Sequence, residues 1–283
     1  MGIEKLLESL KDRLIYEELD LKQLINENGS QQVVKMILDN VGNTHSLIRE
    51  NMMGIHDRLV EEGHCSKDEC IHLFSTSLRN LSKGLGSKAD DLVFCRAFSS
   101  LYVAFIVDID EKLNLLSQEQ YMMALEKGID YMMQEVDRRG FVKGKGWAHA
   151  LAHGADLLCC LVSHSKFPLA YAEKILDCIK FHITSQDGFI DNEEKRLASI
   201  MPILIDKGLG EHVVQNWIKT LIPRSTAEMY TDESYFNCRI IFNSSYFLTY
   251  LHYILKDKPE LEALRKFIIK FEPTMWKLSW PLS

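Results

Sequence analysis

The sequence predicts an all-α protein built of stacked antiparallel helical hairpins, a solenoid of HEAT or armadillo type, with a globular multi-helix bundle as the alternative. Three observations carry this expectation. The 283-residue chain has no proline before Pro168. Apolar residues recur at three- and four-residue spacing, the period of an amphipathic helix. Helix start and stop signals alternate at short intervals. No clean repeat of roughly 40–47 residues, the period of such solenoids, is visible, so the hairpin stack rests on helix spacing alone. No long linker interrupts the pattern, and residues 1–283 read as a single all-helical domain.

The opening MGIEKLLESLKDR is charged and amphipathic. It lacks the apolar core and small-residue cleavage site of a secretory signal, so a cytoplasmic location is expected. Further along, Ser66-Lys67-Asp68-Glu69, Ser117-Gln118-Glu119-Gln120 and Asp191-Asn192-Glu193-Glu194 each place a capping side chain three residues before Glu or Gln. That spacing satisfies helix N–H groups that would otherwise lack a partner. Pro168 and Pro259 suit first helical turns. Stops are expected at Gly42, Gly63, Gly84 with Gly86, Gly140, and Gly208 with Gly210, giving about a dozen helices of about 12 to 26 residues. The most apolar stretch, Leu92 to Val107, carries Arg96 and runs straight into Asp108 and Asp110. At about 16 residues it falls short of the roughly 20 a membrane span needs, and it reads as a core helix.

Charge and cysteine content narrow the partners. The chain has 33 Lys+Arg against 40 Asp+Glu, a net charge of −7, whereas general nucleic-acid binding draws on clustered Lys and Arg. Neither a nucleic-acid nor a membrane partner is expected. Seven cysteines, Cys65, Cys70, Cys95, Cys159, Cys160, Cys178 and Cys238, form an odd count without a CxxC pair. They suggest reduced, packing thiols rather than a disulfide framework or zinc ribbon. The vicinal Cys159-Cys160 pair has no neighbouring cation to activate it and reads the same way.

The least generic segment is DRRGFVKGKGWAHALAHGAD, Asp137 to Asp156. A helix starting near Gly146 places His149, His153 and Asp156 within a sector of roughly 60°. Cys160, Ser163 and His164 continue that face, opposite Trp147, Leu151, Leu158 and Val162. No Lys, Arg or Glu occurs between Gly146 and Ser165. A solvated helix face usually carries those residues, so this stripe is expected to face a cleft or an interface. Two histidines at i and i+4 with an aspartate one turn on can hold a metal ion. A hydrogen-bonded network between packed helices is the plainer account of them. HExxH is absent, because Ala150 stands where its glutamate would be.

Before that helix, Arg138, Arg139, Lys143 and Lys145 surround Gly144 and Gly146. Cations beside the free N–H groups of a helix start suit an anion such as a carboxylate or phosphate, and the same cluster also reads as a solvated basic loop. A third segment, DGFIDNEEKRLASI, puts Glu193 and Glu194 in a first helical turn with Arg196 at i+3 from Glu193. Simple capping is the plainer account of it. Towards the C-terminus, Tyr235, Phe236, Asn237, Arg239, Asn243, Tyr246 and Tyr250 interleave aromatics with hydrogen-bonding groups. An aromatic stripe at this spacing is read as core, with the hydroxyls at its edge. No nucleophile elbow, phosphate loop or dinucleotide fingerprint is present.

The run RGFVKGKGWAHALAHGADLL, with DNEEKRLA downstream, resembles the bacterial family catalogued as domain of unknown function 2785 over most of the chain. The resemblance implies bacterial relatives and no reaction. It picks out Asp137, Arg139, Gly140, Lys145, Gly146, Trp147, His149, His153, Asp156, Arg196 and Leu197. The family's acidic motif is closer to EDxRLA, whereas Glu194 stands here at the second carboxylate.

The leading expectation is a polar pocket for a small anionic ligand or partner peptide. It is made by Arg139, Lys145, Gly146, Trp147, His149, His153, Asp156 and Arg196, needs no cofactor, and leaves open whether the protein is an enzyme. One alternative is a metal-dependent hydrolase in which His149, His153, Asp156 and Glu193 or Glu194 hold Zn²⁺ or Mn²⁺, the metal lowering the pKa of a bound water. A scaffold without a pocket is the other.

Overall fold

A computed structural model describes residues 2–221 and 232–279, with side chains for 2–221 and 237–271. Helices dominate it, and packing divides the chain into two compact units, Met1–Lys166 and Phe167–Ser283.

The first unit contains α1 (Ile3–Ser9), α2 (Leu21–Asn28), α3 (Ser30–Asn40), α4 (Ser46–Glu61), α5 (Lys67–Asn80), α6 (Leu92–Leu113) and α7 (Gln118–Gln134). A two-stranded hairpin, β1 (Phe141–Val142) and β2 (Gly146–Trp147), and then α8 (Ala150–Ser163) complete it. Both serine capping boxes form as the spacing predicts: Ser66 with Glu69 opens α5, and Ser117 with Gln120 opens α7. Gly63 ends α4 with a φ of 71°, its N–H reaching the Val60 carbonyl while the His64 N–H reaches that of Leu59. This is the paired closure of a Schellman stop.

α6 is the central helix. Val93, Phe94, Ala97, Phe98, Tyr102, Val103, Ile106 and Val107 are all buried on it, packed chiefly by α8 and α5. It runs through Asp108 and Asp110 to 22 residues, longer than its apolar stretch alone suggests, and is long and apolar enough to cross a membrane; 78% of its apolar window is buried within the protein. Its interior charges are paired. Arg96 Nε donates to Glu135 at 2.7 Å, and Asp110 accepts from Lys166 Nζ at 2.5 Å and from the Leu116 N–H at 2.7 Å. α7 and α8 approach closely enough that a Cβ on Gly154 would meet Met132 Sδ at 2.2 Å, so any larger residue there would force the Met132 side chain to move.

The second unit contains α9 (Ala172–Ile183), α10 (Glu193–Ala198), α11 (Ile200–Asp206), α12 (Glu211–Lys219), α13 (Asp232–Ile254) and α14 (Glu262–Ser279). Several helices are shorter than the 12 residues expected. α10 and α11, of 6 and 7 residues, divide at Ser199, because Pro202 has no N–H to return to the Ala198 carbonyl. Pro168 precedes a 3₁₀ turn, Leu169–Tyr171, and Pro259 opens another, Pro259–Leu261. α13 packs against α9, α10 and α14. Its Asn243 is buried and gathers the loop after α9, donating to the carbonyls of Ile183 at 3.2 Å and Asp187 at 3.1 Å.

Candidate functional site

The segment Asp137–Asp156 folds differently from the single helix start that its glycines suggested. Val142 to Lys145 forms a turn closed by Lys145 N–H to Val142 O at 2.9 Å, with Gly144 at its third position and φ 79°. Phe141 pairs with Trp147 and Val142 with Gly146 in an antiparallel ladder. The pairing continues beyond it, as the Ala148 N–H donates to Gly140 O at 2.8 Å and the His149 N–H to Arg139 O at 3.1 Å. Gly146, at φ 76°, lies so close to α4 that a Cβ would meet that of Ser46 at 2.6 Å.

α8 therefore begins at Ala150. His149 is its N-cap residue, in the left-handed region at φ 49° and ψ 34°, a conformation that costs a non-glycine residue of order 1–3 kcal/mol. This corrects the anion cradle expected after Gly146. The Gly146 N–H belongs to a hairpin, and the N–H groups of Ala148 and His149 already donate to carbonyls. No helix dipole starts at that point.

The expected cations are also engaged. Arg139 donates through Nε and Nη2 to the buried Asp137 carboxylate at 2.9 and 2.7 Å, and through Nη2 to Asp90 O at 2.5 Å. The Asp137 contact raises the pKa of this guanidinium further, against a smaller opposing effect of burial. Asp137 also accepts the Ala89 N–H at 3.0 Å, so the Arg139 pair clips the loop after α5 to the strand entry. Lys145 Nζ sits 2.6 Å from Asp91, with both side chains exposed. A pair of that kind is worth only about 0–1 kcal/mol and separates easily. Lys145 can thus turn to a ligand, whereas Arg139 is held.

Beneath the hairpin lies Arg49 of α4, wholly buried. It donates to the carbonyls of Asn43 at 2.6 Å, Lys145 at 2.8 Å and Trp147 at 2.9 Å. Its guanidinium lies 4.3 Å over the Phe94 ring and 4.7 Å over that of Phe98. Burial lowers its pKa to about 10, against a smaller opposing pull from Glu50. Burial likewise pushes the neighbouring Glu50 carboxyl up, with Arg49 and His153 pulling it back. Sequence reasoning passed over Arg49 and Glu50. The available signal was that Arg49 falls in the buried register of Met52, His56 and Leu59, where a cation needs a special environment.

Above Arg49, rings follow one another. Phe141 meets Trp147 edge-on at 5.2 Å, Trp147 stacks on His149 at 4.3 Å, His149 meets His153 edge-on at 5.8 Å, and His153 meets Phe98 at 5.5 Å. Phe141 is 61% and Trp147 41% exposed. His153 Nδ1 is 3.8 Å from Asp156 Oδ2, beyond hydrogen-bond length, so these two side chains lock each other less than a buried network would.

Further along α8, burial, with Asp108 and Asp156 adding to it, pushes the Cys160 thiol up to about 12. It therefore stays protonated, as a packing residue does. His164 at the helix end is fully committed. Its Nδ1 accepts the Lys166 N–H at 3.1 Å, which puts the proton on Nε2, facing Asp110 at 3.0 Å.

In the second unit, Asn192, at φ 63°, precedes α10 without a side-chain cap, so the capping box expected from Asp191 does not form. Instead Glu193 reaches back and accepts the N–H groups of Ile190 at 3.0 Å and Asp191 at 2.9 Å. Glu194 is buried, which raises its pKa, and Glu193 raises it further. Arg196 is exposed on α10. Of the aromatic segment on α13, Tyr246 is half exposed and the Tyr250 hydroxyl donates to Asn192 Oδ1 at 3.1 Å. The side chains of Tyr235 and Phe236 lie outside the described residues.

Comparison with known proteins bears on the same segments. The model of the family described as "Protein of unknown function (DUF2785)" matches residues 81–253. No curated protein and no solved structure matches the chain. The matched region covers more than half the chain and includes the hairpin, the His149–His153 turn and the Glu193–Arg196 helix, and the protein therefore belongs to the DUF2785 family, whose function is unknown.

Proposed function

We propose that the hairpin and the first turns of α8 form a recognition surface for a small anionic ligand or a partner peptide. One observation carries this reading: the ring series Phe141–Trp147–His149–His153, in which Trp147 is stacked on one imidazole while remaining 41% exposed. Aromatic side chains so placed present an apolar face with polar atoms at its edge, the character that favours them in binding sites. The left-handed backbone at His149 supports the same reading, since strain of this kind concentrates at functional positions. For a carboxylate or phosphate, Lys145 and the two imidazoles would supply the donors, and Arg139 would keep the hairpin entry in place.

The surface is offered by a helical-repeat framework. In the first unit α3 packs on α4, α5 on α6 and α7 on α8 as successive hairpins, while α3 on α5, α4 on α6 and α6 on α8 supply the stacking. That alternation of neighbour and next-neighbour contacts supports a HEAT-like arrangement of this unit.

A thermal-shift screen with small carboxylates, phosphates and short peptides tests the reading. A ligand whose stabilising effect disappears in Trp147→Ala and weakens in Lys145→Ala supports it. Absence of any hit, or hits indifferent to both substitutions, counts against it.

A further inference from the structure

The start of α5 places two thiols together. Ser66 Oγ accepts the Glu69 N–H at 3.3 Å, and the Glu69 carboxylate accepts the Ser66 N–H at 2.8 Å. In such a capping box the residue before the cap and the fourth residue of the helix turn toward each other, where a pair of apolar side chains commonly staples the entry. Here those two positions are Cys65 and Cys70. Their side chains lie close enough to affect each other's ionisation. Cys70 is 3% exposed and Cys65 half-buried, so one sulfur is within reach of solvent and the other lies behind it. Both lie outside residues 81–253.

We propose that Cys65 and Cys70 are a redox modification site, a dithiol that closes reversibly to a disulfide when it meets a small disulfide oxidant such as oxidised glutathione. Cys65 gives up its proton to solvent and attacks one sulfur of the oxidant as the thiolate. The oxidant's S–S bond breaks, and one glutathione thiolate leaves and takes a proton from solvent. Cys70 then attacks the Cys65 sulfur of the mixed disulfide, expels the second glutathione and gives up its own proton. In total two protein thiols are oxidised by two electrons and one oxidised glutathione becomes two reduced molecules. Exposure suits this order, since Cys65 is open to the oxidant and Cys70 is buried.

Lys67 lies between the two cysteines, so trypsin separates them into Leu59–Lys67 and Asp68–Arg79. The reduced full chain is treated with oxidised glutathione at neutral pH, quenched with acid, alkylated, digested and weighed. The two peptides are expected joined and lighter by two hydrogens, before any disulfide appears among Cys95, Cys159, Cys160, Cys178 and Cys238. Cys70→Ser is expected to trap a glutathione adduct on Cys65, because the resolving sulfur is gone. Should that variant not fold, Cys65→Ser serves instead, and its buried Cys70 is expected to resist glutathione. Separate peptides in the wild type, or a lasting glutathione adduct on its Cys65, would overturn the proposal.

Discussion

The guanidinium of Arg49 donates from Nη2 to the main-chain carbonyl of Trp147 at 2.9 Å. With its second bond, to Lys145 O, this contact ties the hairpin to α4. No carboxylate takes part in these bonds; neutral carbonyls and two phenylalanine faces hold the charge. Such a fork-shaped role does not pass to lysine. Arg49→Ala and Arg49→Lys are both expected to cost about 2–4 kcal/mol, since either strands buried carbonyls. Urea unfolding measures that loss. Faster tryptic cleavage at Lys143 or Lys145 under native conditions would show that the hairpin has come loose.

Arg96 and Glu135 form a pair in which both side chains are almost wholly buried. Removing one partner leaves an uncompensated charge, which typically costs about 3–5 kcal/mol, whereas replacing both with apolar groups is often far milder. Arg96→Met is therefore expected to destabilise the protein more than Arg96→Met combined with Glu135→Leu. Glu135 also accepts the Asp137 N–H at 3.0 Å, so the double variant is not expected to reach wild-type stability. Denaturation midpoints of the three proteins decide the order.

Asp110 gives the fold a pH dependence. Burial pushes its carboxyl up, but the Leu116 N–H, the Lys166 ammonium and His164 together outweigh burial and hold it below the usual carboxylate range. A carboxyl depressed in the folded state contributes stability above its unfolded pKa of about 4, and that contribution is lost as pH falls through the folded value. Asp110→Asn is expected to be less stable than wild type at neutral pH, and its melting temperature should fall less between about pH 5 and pH 3. A variant with the wild-type acid profile would show that Asp110 does not carry this dependence.

What the sequence disclosed was local. The Ser66 and Ser117 caps, the Gly63 stop and the buried register of α6 depend on residues within one or two turns of each other, and periodicity reports such relations directly. The α8 start was misplaced because its determinants are distant. Arg49 is 96 residues from Lys145 in the chain, and a hairpin of two-residue strands has no period to detect. Arg139 is held by Asp137 rather than available, while the exposed partner of Lys145 was out of sight for a similar reason. Asp91 lies 54 residues from Lys145, and only the Asp137–Arg139 pair was close enough to suspect. His149 and His153 were recognisable as unusual, while the left-handed backbone at His149 had only a weak sequence signal, since histidine is enriched in that conformation but rarely adopts it.

The central claim is that His149 and Trp147 serve recognition rather than stability, and His149→Gly tests it most directly. Glycine takes up the left-handed conformation freely and relieves about 1–3 kcal/mol of strain, against which stand the lost ring contact and the greater freedom of the unfolded chain, about 0.5–1.5 and 0.4–1 kcal/mol. The two sides roughly cancel, so stability is expected within about 1 kcal/mol of wild type. The measurement is calorimetric titration of wild type and His149→Gly with a ligand from the thermal-shift panel, alongside their melting temperatures. An unchanged melting temperature and lost binding are expected. A variant that binds as wild type does, or one that unfolds while its ligand affinity survives in the remaining folded fraction, would contradict the claim.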